Sequence, residues 1–248
     1  MRVLNGLLFV CIGLVTSVLP AHAVDDYDAC LDLIATEPVR AEREAGDWAR
    51  YGGGAAARHC YALALIAIGA QSRGIDELLG IAAEEQDLEP DARADILAQA
   101  GDLLLEEGDR VTATVVTEQA LRLDARNAAS LALRARLKLE AGDLRAAVRD
   151  LDEALRQNPS SSRFLSLRAS AYRRLGRHIE ARDDSAFATE ASPGDAAAWL
   201  ERGRNEAALK DRNAARFSFL EAIDLDRDGD IGKAARLALQ RMEAGIEE

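Results

Sequence analysis

The stretch AASLALRARLKLEAGDLRAAVRDLDEALRQNPSS, residues 128–161, decides the fold, because its landmarks recur at a constant interval along the chain. Alanine holds two positions of this period in four successive copies: Ala113, Ala147, Ala181 and Ala215, and Ala120, Ala154, Ala188 and Ala222. Gly142 follows the same spacing, with Gly108 and Gly176 at equivalent places. The interval is 34 residues in each series. A constant period of this length is typical of stacked, identical helical units.

Glycine and proline mark the boundaries between the predicted helices. Glycine permits the positive φ of a short turn, whereas Pro159 and Pro193 end an outgoing helix. No segment alternates apolar and polar residues as a strand does. Lys210 replaces the turn glycine in the last copy, so a less regular turn is expected there. The predicted helices span residues 26–36, 39–51, 55–69, 74–86, 94–107, 110–123, 128–141, 144–157, 162–175, 178–190, 196–209, 212–224 and 231–245.

The repeated unit resembles the tetratricopeptide repeat, which places a bulky residue, small residues, a turn glycine, two alanines and a proline in this order. The copy that starts at Ser162 carries Leu165, Ala169, Tyr172, Gly176, Ala181, Ala188 and Pro193. The resemblance implies an all-α solenoid of αα-hairpins, wound as a right-handed superhelix. It also implies a non-enzymatic scaffold or adaptor that binds a partner protein on its concave face.

The chain divides into four segments by this pattern. Residues 1–23 read as a signal peptide, and residues 24–90 as degenerate N-terminal helical repeats, in which the turn and helix after Gly69 are out of register. Residues 91–229 hold four tetratricopeptide motifs. Residues 230–248 form a C-terminal capping helix with one apolar stripe, as the exposed end of an array requires.

The N-terminal segment combines Arg2, an apolar stretch from Leu7 to Leu19 and an Ala21-His22-Ala23 cleavage motif. This pattern predicts an exported protein of the bacterial periplasm. An uncleaved helix that tethers a structural protein to the membrane is the alternative. Loss of residues 1–23 leaves Cys30 and Cys60, and two cysteines in an oxidising compartment predict a disulfide. His59 beside Cys60 suggests a metal or thiol site, but a third ligand and CxxC spacing are missing.

The formal net charge is −12 and aromatic residues make up 4% of the chain. This composition disfavours nucleic-acid binding, which requires a basic surface or aromatic stacking. Within the acidic chain, residues 162–182 carry six arginines and one acid. If the chain keeps the register of the tetratricopeptide repeat, five arginines point toward the concave face and form a basic strip. They are Arg136, Arg163, Arg173, Arg174 and Arg204.

Such a strip suits an acidic segment or a C-terminal carboxylate of a partner, because guanidinium groups bind carboxylates bidentately. The alternative is that these arginines pair with local acids at the surface. Carboxylate pairs at helix spacing, among arginines and lysines, are interpreted as solvated faces.

Catalytic and metal motifs are nearly absent from the sequence. It carries no HExxH, GxSxG or Walker motif, and no cofactor is expected. Asp224, Asp226, Asp228 and Asp230 resemble the front of an EF-hand loop, but Ala235 stands where the closing glutamate belongs. An envelope enzyme or enzyme subunit remains the alternative to a scaffold, and it would need a cluster that linear spacing does not reveal.

Overall fold

The computed structural model describes residues 26–85 and 87–246, and within these ranges the chain forms thirteen α-helices and no strand. The predicted all-α repeat solenoid is confirmed. The helices are α1 Tyr27–Thr36, α2 Pro38–Arg50, α3 Gly54–Ala67, α4 Gln71–Glu84, α5 Pro90–Glu106, α6 Arg110–Leu123, α7 Ala128–Ala141, α8 Leu144–Gln157, α9 Ser162–Arg174, α10 His178–Ala191, α11 Ala196–Ala208, α12 Arg212–Leu225 and α13 Asp230–Glu243.

The turn between α7 and α8 uses a glycine to end one helix and an aspartate to begin the next. Gly142 has a φ of +83°, and its N–H and that of Asp143 donate to the carbonyls of Leu139 and Lys138. The Asp143 carboxylate then accepts from the N–H of Ala146 at 3.2 Å. This arrangement satisfies backbone groups at both helix ends, which fixes where α7 stops and α8 starts.

The periodic alanines lie where the helices approach one another. All eight are fully buried. Ala147 and Ala154 of α8 share one core cluster with Ala135 of α7 and Ala181 of α10. Larger side chains at these positions would push neighbouring helices apart, so the alanine period sets the close packing of the array.

The N-terminal hairpin α3–α4 has the same turn as the later hairpins. Gly69 has a φ of +81°, and the N–H groups of Gly69 and Ala70 donate to the carbonyls of Ile66 and Leu65. The interval from Gly69 to Gly108 is longer than the interval from Gly108 to Gly142. The extra residues lengthen the connection between α4 and α5 by one residue and the start of α5 by four, so the expected irregularity directly after Gly69 was wrong: the register breaks later.

The expected irregularity at Lys210 was also wrong. Lys210 adopts a φ of +64°, and the N–H groups of Lys210 and Asp211 donate to the carbonyls of Ala207 and Glu206. The hydrogen bonds are those of a glycine turn. Lys210 therefore keeps the turn geometry, and its backbone adopts the left-handed conformation. This conformation is unfavourable for L-residues that carry a Cβ.

We expect Lys210→Gly to stabilise the protein by about 0.5–1 kcal/mol. The left-handed conformation costs a non-glycine residue about 1–2 kcal/mol, and the greater freedom of glycine in the unfolded chain offsets about 0.5–1 kcal/mol of that gain. Thermal unfolding followed by circular dichroism would show a higher Tm. Gly142→Lys is the matched control, since it places lysine at a φ of +83° and should lower the Tm. A Tm that falls for Lys210→Gly would contradict the strain at this turn.

The C-terminal helix α13 closes the array. Ala235 and Ala238 are buried, and Ile231 and Met242 pack against the same cluster as Phe219 of α12. None of the helices formed by the described residues combines the length and apolar character that a membrane crossing needs. The predicted signal peptide and the alternative membrane tether lie outside the described residues.

Candidate functional site

The first helices of successive hairpins pack directly against one another. Contacts join α5 to α7, α7 to α9, α9 to α11 and α11 to α13. Among the described residues, the second helices α6, α8, α10 and α12 make no such contacts with each other. In such an array the first helices lie close together and the second helices lie farther apart. The array therefore curves toward its first helices. We call the surface formed by α5, α7, α9 and α11 the inner face.

On the inner face, side chains from three successive first helices meet at Asp102. The Asp102 Oδ1 atom of α5 lies 2.5 Å from a terminal guanidinium nitrogen of Arg163 of α9. A terminal nitrogen of Arg136, on the intervening helix α7, lies 3.8 Å from the same oxygen. The side chains of Arg163 and Arg136 are 47% and 30% exposed and that of Asp102 is 18% exposed, so the two guanidinium groups face solvent while the carboxylate is mostly covered.

A second cluster forms around Glu201 of α11. Arg173 of α9 donates from Nε and a terminal nitrogen to Glu201 Oε1, at 3.1 and 3.0 Å. Arg204 donates to Glu201 Oε2 at 3.4 Å. This cluster is more enclosed, since the side chains of Arg173 and Glu201 are 17% and 10% exposed. Arg174 instead donates to the carbonyl oxygen of Leu139 at 2.7 Å.

Four of the five arginines of the predicted basic strip therefore lie in two clusters, and the fifth contacts a backbone carbonyl. Arg136 and Arg163 converge on Asp102, and Arg173 and Arg204 converge on Glu201, whereas Arg174 stands apart. Each of the five has an intramolecular partner. The local pairing that the sequence left as an alternative is present, and it includes residues far apart in the chain.

A second set of arginines, which the sequence analysis missed, lies between the layers of first and second helices. These wedge arginines are Arg134, Arg168 and Arg202, and they share the constant interval of the buried alanines. Arg134 donates to both carboxylate oxygens of Asp150 at 2.9 Å. Their constant spacing was the signal that could have identified them.

The wedge arginine Arg168 makes the most complete set of bonds. It donates to both oxygens of Asp184, at 2.7 and 2.9 Å, and to Asp152 at 2.7 Å. Hydrogen bonding to Asp184 raises the pKa of the Arg168 guanidinium above its ordinary value, so this side chain stays charged. Asp150 and Asp184 are buried. The prediction that carboxylates at helix spacing lie on solvated faces is therefore wrong for these two aspartates.

The N-terminal helices carry a polar chain beside the two cysteines. Cys30 of α1 and Cys60 of α3 lie with their Cα atoms 6.3 Å apart, a distance that a disulfide spans. In the tautomer with the proton on His59 Nε2, Tyr27 donates to Nδ1 at 2.6 Å and Nε2 donates to Gln99 at 2.8 Å. Burial raises the pKa of the Tyr27 hydroxyl above its ordinary value. Both ring nitrogens of His59 are thus engaged, and this geometry does not support a metal or thiol site.

The EF-hand-like segment forms the start of the capping helix. Asp226 accepts from the N–H groups of Ile231 and Gly232, at 3.0 and 3.2 Å, and so caps α13. Asp224 pairs with Arg227 and Asp230 with Lys233, whereas Asp228 has no role in the cap. In the described part of the chain, no three His, Cys, Asp or Glu side chains converge as a metal site would require.

Comparison with known proteins agrees with this architecture. Residues 104–171 match the tetratricopeptide repeat family. No curated protein sequence matches the chain. A chain of the APC/C hetero-tetramer Cut9–Hcn1 is 14% identical, with a TM-score of 0.72 over 88% of this chain and 43% of that one. The present chain thus spans less than half the length of that neighbour.

Two further solved structures share the fold. TTC0263, a thermophilic tetratricopeptide protein of Thermus thermophilus, is 22% identical, with a TM-score of 0.56 over 62% of this chain and 82% of that one. MamA of Desulfovibrio magneticus RS-1, from residue 41 to its end, is 18% identical, with a TM-score of 0.53 over 71% of this chain and 97% of that one. These likenesses show the fold. Residues 104–171 therefore match the tetratricopeptide repeat family, and the described chain shares the helical repeat solenoid fold of these structures.

Proposed function

We propose that this chain is a non-enzymatic scaffold that binds an acidic segment or C-terminal carboxylate of a partner protein on its inner face. The observation that carries the proposal is the convergence of Arg136 and Arg163 on one oxygen of Asp102. Tetratricopeptide proteins generally mediate protein–protein interactions, which supports a scaffold. Guanidinium groups that gather around an internal carboxylate are already arranged for a carboxylate from a partner.

The energetics of the Asp102 cluster favour exchange with a partner. Ion pairs between solvent-exposed side chains contribute only about 0–1 kcal/mol. Arg163 and Arg136 are 47% and 30% exposed and Asp102 is 18% exposed, so these pairs are less enclosed than Arg173–Glu201, and a partner carboxylate replaces Asp102 at a moderate cost. A partner carboxylate then takes the place of the Asp102 carboxylate beside Arg136 and Arg163.

The Glu201 cluster differs in this respect. Its Arg173–Glu201 pair is largely enclosed, and removing one member of a buried pair costs about 3–5 kcal/mol, because the other charge stays buried. Within the basic strip, we therefore assign partner capture to Arg136 and Arg163, with Arg174 at the edge. Arg173 holds α9 against α11, whereas Arg204 pairs with Glu201 within α11.

We also propose that the scaffold works in the bacterial periplasm, with the Cys30–Cys60 disulfide formed there. The apolar segment and cleavage motif of residues 1–23 support export. The proximity of the two cysteines on neighbouring helices supports a bridge that forms without rearrangement. An exported protein meets the oxidising conditions that such a bridge requires.

The inner-face proposal is tested with a fluorescein-labelled decapeptide rich in glutamate and aspartate that ends in a free carboxylate. We expect Arg136→Gln/Arg163→Gln to raise its Kd at least tenfold, measured by fluorescence anisotropy at low salt. Asp102→Asn should lower the Kd several-fold, because it frees two guanidinium groups. A peptide with an amidated C-terminus separates recognition of the terminus from recognition of the acidic side chains.

Arg149→Gln/Arg156→Gln is the matched control, since it removes the same charge from the exposed surface of α8. Its effect on the Kd should stay below twofold. Equal losses for the inner-face and control variants would mean that net charge alone attracts the peptide. That result, or a Kd unchanged by Asp102→Asn, would refute the assigned site.

A further inference from the structure

Two of the wedge arginines, Arg134 and Arg168, close the spaces between consecutive second helices, whereas Arg202 bonds to Glu206 of its own helix and to Thr189 of α10. Arg134 binds Asp150 of α8 and lies 3.7 Å from Glu118 of α6. Arg168 bonds in the same way to Asp184 of α10 and Asp152 of α8. Each of these two guanidinium groups therefore spans two neighbouring second helices and occupies the gap between them.

The gap between α4 and α6 lacks this arrangement. The residue of α5 in register with the wedge arginines is Ala100, and the residue of α6 in register with Asp150 and Asp184 is Val116. A groove of about 510 Å³ lies there. We call it the outer groove; its lining residues are Leu79, Ala82, Ala83, Arg93, Leu97, Val115, Val116, Gln119, Arg122 and Leu123.

The outer groove combines an apolar lining with positive charge at its edge. Val115, an apolar residue of the lining, is 52% exposed. Both charged residues that line the groove are arginines, in a chain whose net charge is −12. Arg93 donates to the carbonyl oxygen of Ala82 at 2.9 Å. Arg122 is exposed and forms no ion pair within the described part of the chain.

The dimensions of the outer groove fit a short stretch of helix. Its lining on α6 runs from Val115 to Leu123, which corresponds to roughly 12 Å or two helical turns. The volume lies in the range of about 300–1,000 Å³ that is usual for ligand sites. Helices commonly bind such grooves through apolar residues spaced at i, i+3 or i+4 and i+7.

We propose that the outer groove docks an amphipathic helix of a partner protein, with apolar residues against Leu79, Leu97 and Val115 and an acidic residue beside Arg122. The groove lies between second helices, on the side of the array opposite the inner face. One molecule can therefore hold two partner segments at once. This surface is independent of the proposed inner-face site.

The test uses a designed, fluorescein-labelled helical peptide of about four turns, with a leucine stripe and glutamates flanking it. The same peptide with lysines in place of the glutamates is the comparison. We expect the glutamate peptide to bind and the lysine peptide to bind at least tenfold more weakly. Val115→Arg and Arg122→Glu should each raise the Kd of the glutamate peptide at least tenfold.

Val111→Arg is the matched control, because it lies one turn earlier on α6, is 78% exposed and does not line the groove. It should leave the Kd within twofold, as should Arg136→Gln/Arg163→Gln on the inner face. Ala100→Arg/Val116→Asp, which copies the wedge of the next hairpin, should abolish binding. If that variant fails to fold, the exposed Val115→Arg and Arg122→Glu changes still decide the question.

Three outcomes would overturn the proposal. One is equal binding of the glutamate and lysine peptides, and another is binding that neither groove variant weakens. The third is loss of binding in the inner-face variant alone, which would place the peptide on the other surface. Self-association that the groove variants abolish, measured by analytical ultracentrifugation, would instead assign the groove to a second copy of the chain and would equally overturn it.

Discussion

Arg168→Ala should lower the free energy of unfolding by about 2–4 kcal/mol, among the largest effects expected of a single substitution here. The change removes both bonds to Asp184, whose side chain is 10% exposed, and leaves a buried carboxylate without its cation. Loss of one partner of a fully buried pair costs about 3–5 kcal/mol. The lower range applies because Arg168 is itself 21% exposed and Asp152 can be rehydrated.

The hairpin α5–α6 provides the design of a rescue. At the register of Arg168 and Asp184 it carries Ala100 and Val116, so an apolar pair is compatible with the same backbone. The double variant Arg168→Ala/Asp184→Val should recover at least half of the stability that Arg168→Ala loses. The buried charge is gone in the double variant, and what remains is the loss of packing by the long arginine side chain.

Urea unfolding followed by circular dichroism measures these differences. Arg216→Ala is the control, because Arg216 also joins two helices through a carboxylate, Glu243 at 2.8 Å, but both side chains are about half exposed or more. Its loss should stay below about 1 kcal/mol. If Arg168→Ala costs no more than Arg216→Ala, the wedge does not stabilise the array. If the double variant is less stable than Arg168→Ala, the stability lost in Arg168→Ala does not come from the unpaired charge of Asp184.

The wedge arginines also show where interpretation of the sequence went wrong. Carboxylates at helix spacing among arginines and lysines are common on solvated surfaces, and the sequence analysis assigned them to such surfaces. Arg134 and Asp150 are 16 residues apart and lie on different helices of one hairpin. Only the packing angle of that hairpin turns the two side chains toward each other, and the angle is not encoded in either helix alone.

The array itself was predictable because its determinants are local and repeated. Gly142 and Asp143 fix one turn, and Ala147 and Ala154 fix the packing of the helix that follows. The observed α7 and α8 have the predicted bounds, 128–141 and 144–157. The prediction was less accurate at α4 and α5, which begin at Gln71 and Pro90 rather than at residues 74 and 94. There the period is lengthened, and the constant interval no longer locates the helix ends.

The candidate site on the inner face was predicted as a set of arginines but not as clusters. Register alone gives the face on which Arg136 and Arg163 lie. It does not give their partner, since Asp102 and Arg163 are 61 residues apart and meet only through the stacking of three helices. Lys210 is a similar case: its sequence suggests an irregular turn, but packing of α11 against α12 imposes the left-handed conformation.

Loss of the Cys30–Cys60 disulfide should destabilise the N-terminal hairpins by about 3–4 kcal/mol. A crosslink that closes a loop of 30 residues restricts the unfolded chain by roughly this amount on the chain-entropy account. Both cysteines are fully buried, in a cluster with Ala45. Apart from the bridge, α1 is held against α3 by this small cluster and by the hydrogen bond between Tyr27 and His59. Cys30→Ala/Cys60→Ala removes the bridge with a small change in packing.

The location of the loss is as informative as its size. In a repeat array each hairpin contacts only its neighbours, so the effect of the bridge should be confined to one end. Hydrogen exchange of Cys30→Ala/Cys60→Ala should accelerate in α1–α3 and stay unchanged in α7–α9. Dithiothreitol should have the same effect on the wild-type protein and none on the variant, which controls for the loss of the thiol side chains.

Intact-mass measurement of the exported protein connects this prediction to the proposed compartment. Cleavage after Ala23 should remove residues 1–23, including Cys11, and the remaining chain should weigh two hydrogens less than its reduced form. The bridge would then be the source of N-terminal stability in the cell. Free Cys30 and Cys60 thiols in the exported protein, or an exchange pattern that dithiothreitol leaves unchanged, would show instead that packing of α1 and α2 onto α3 is sufficient to hold this end of the array.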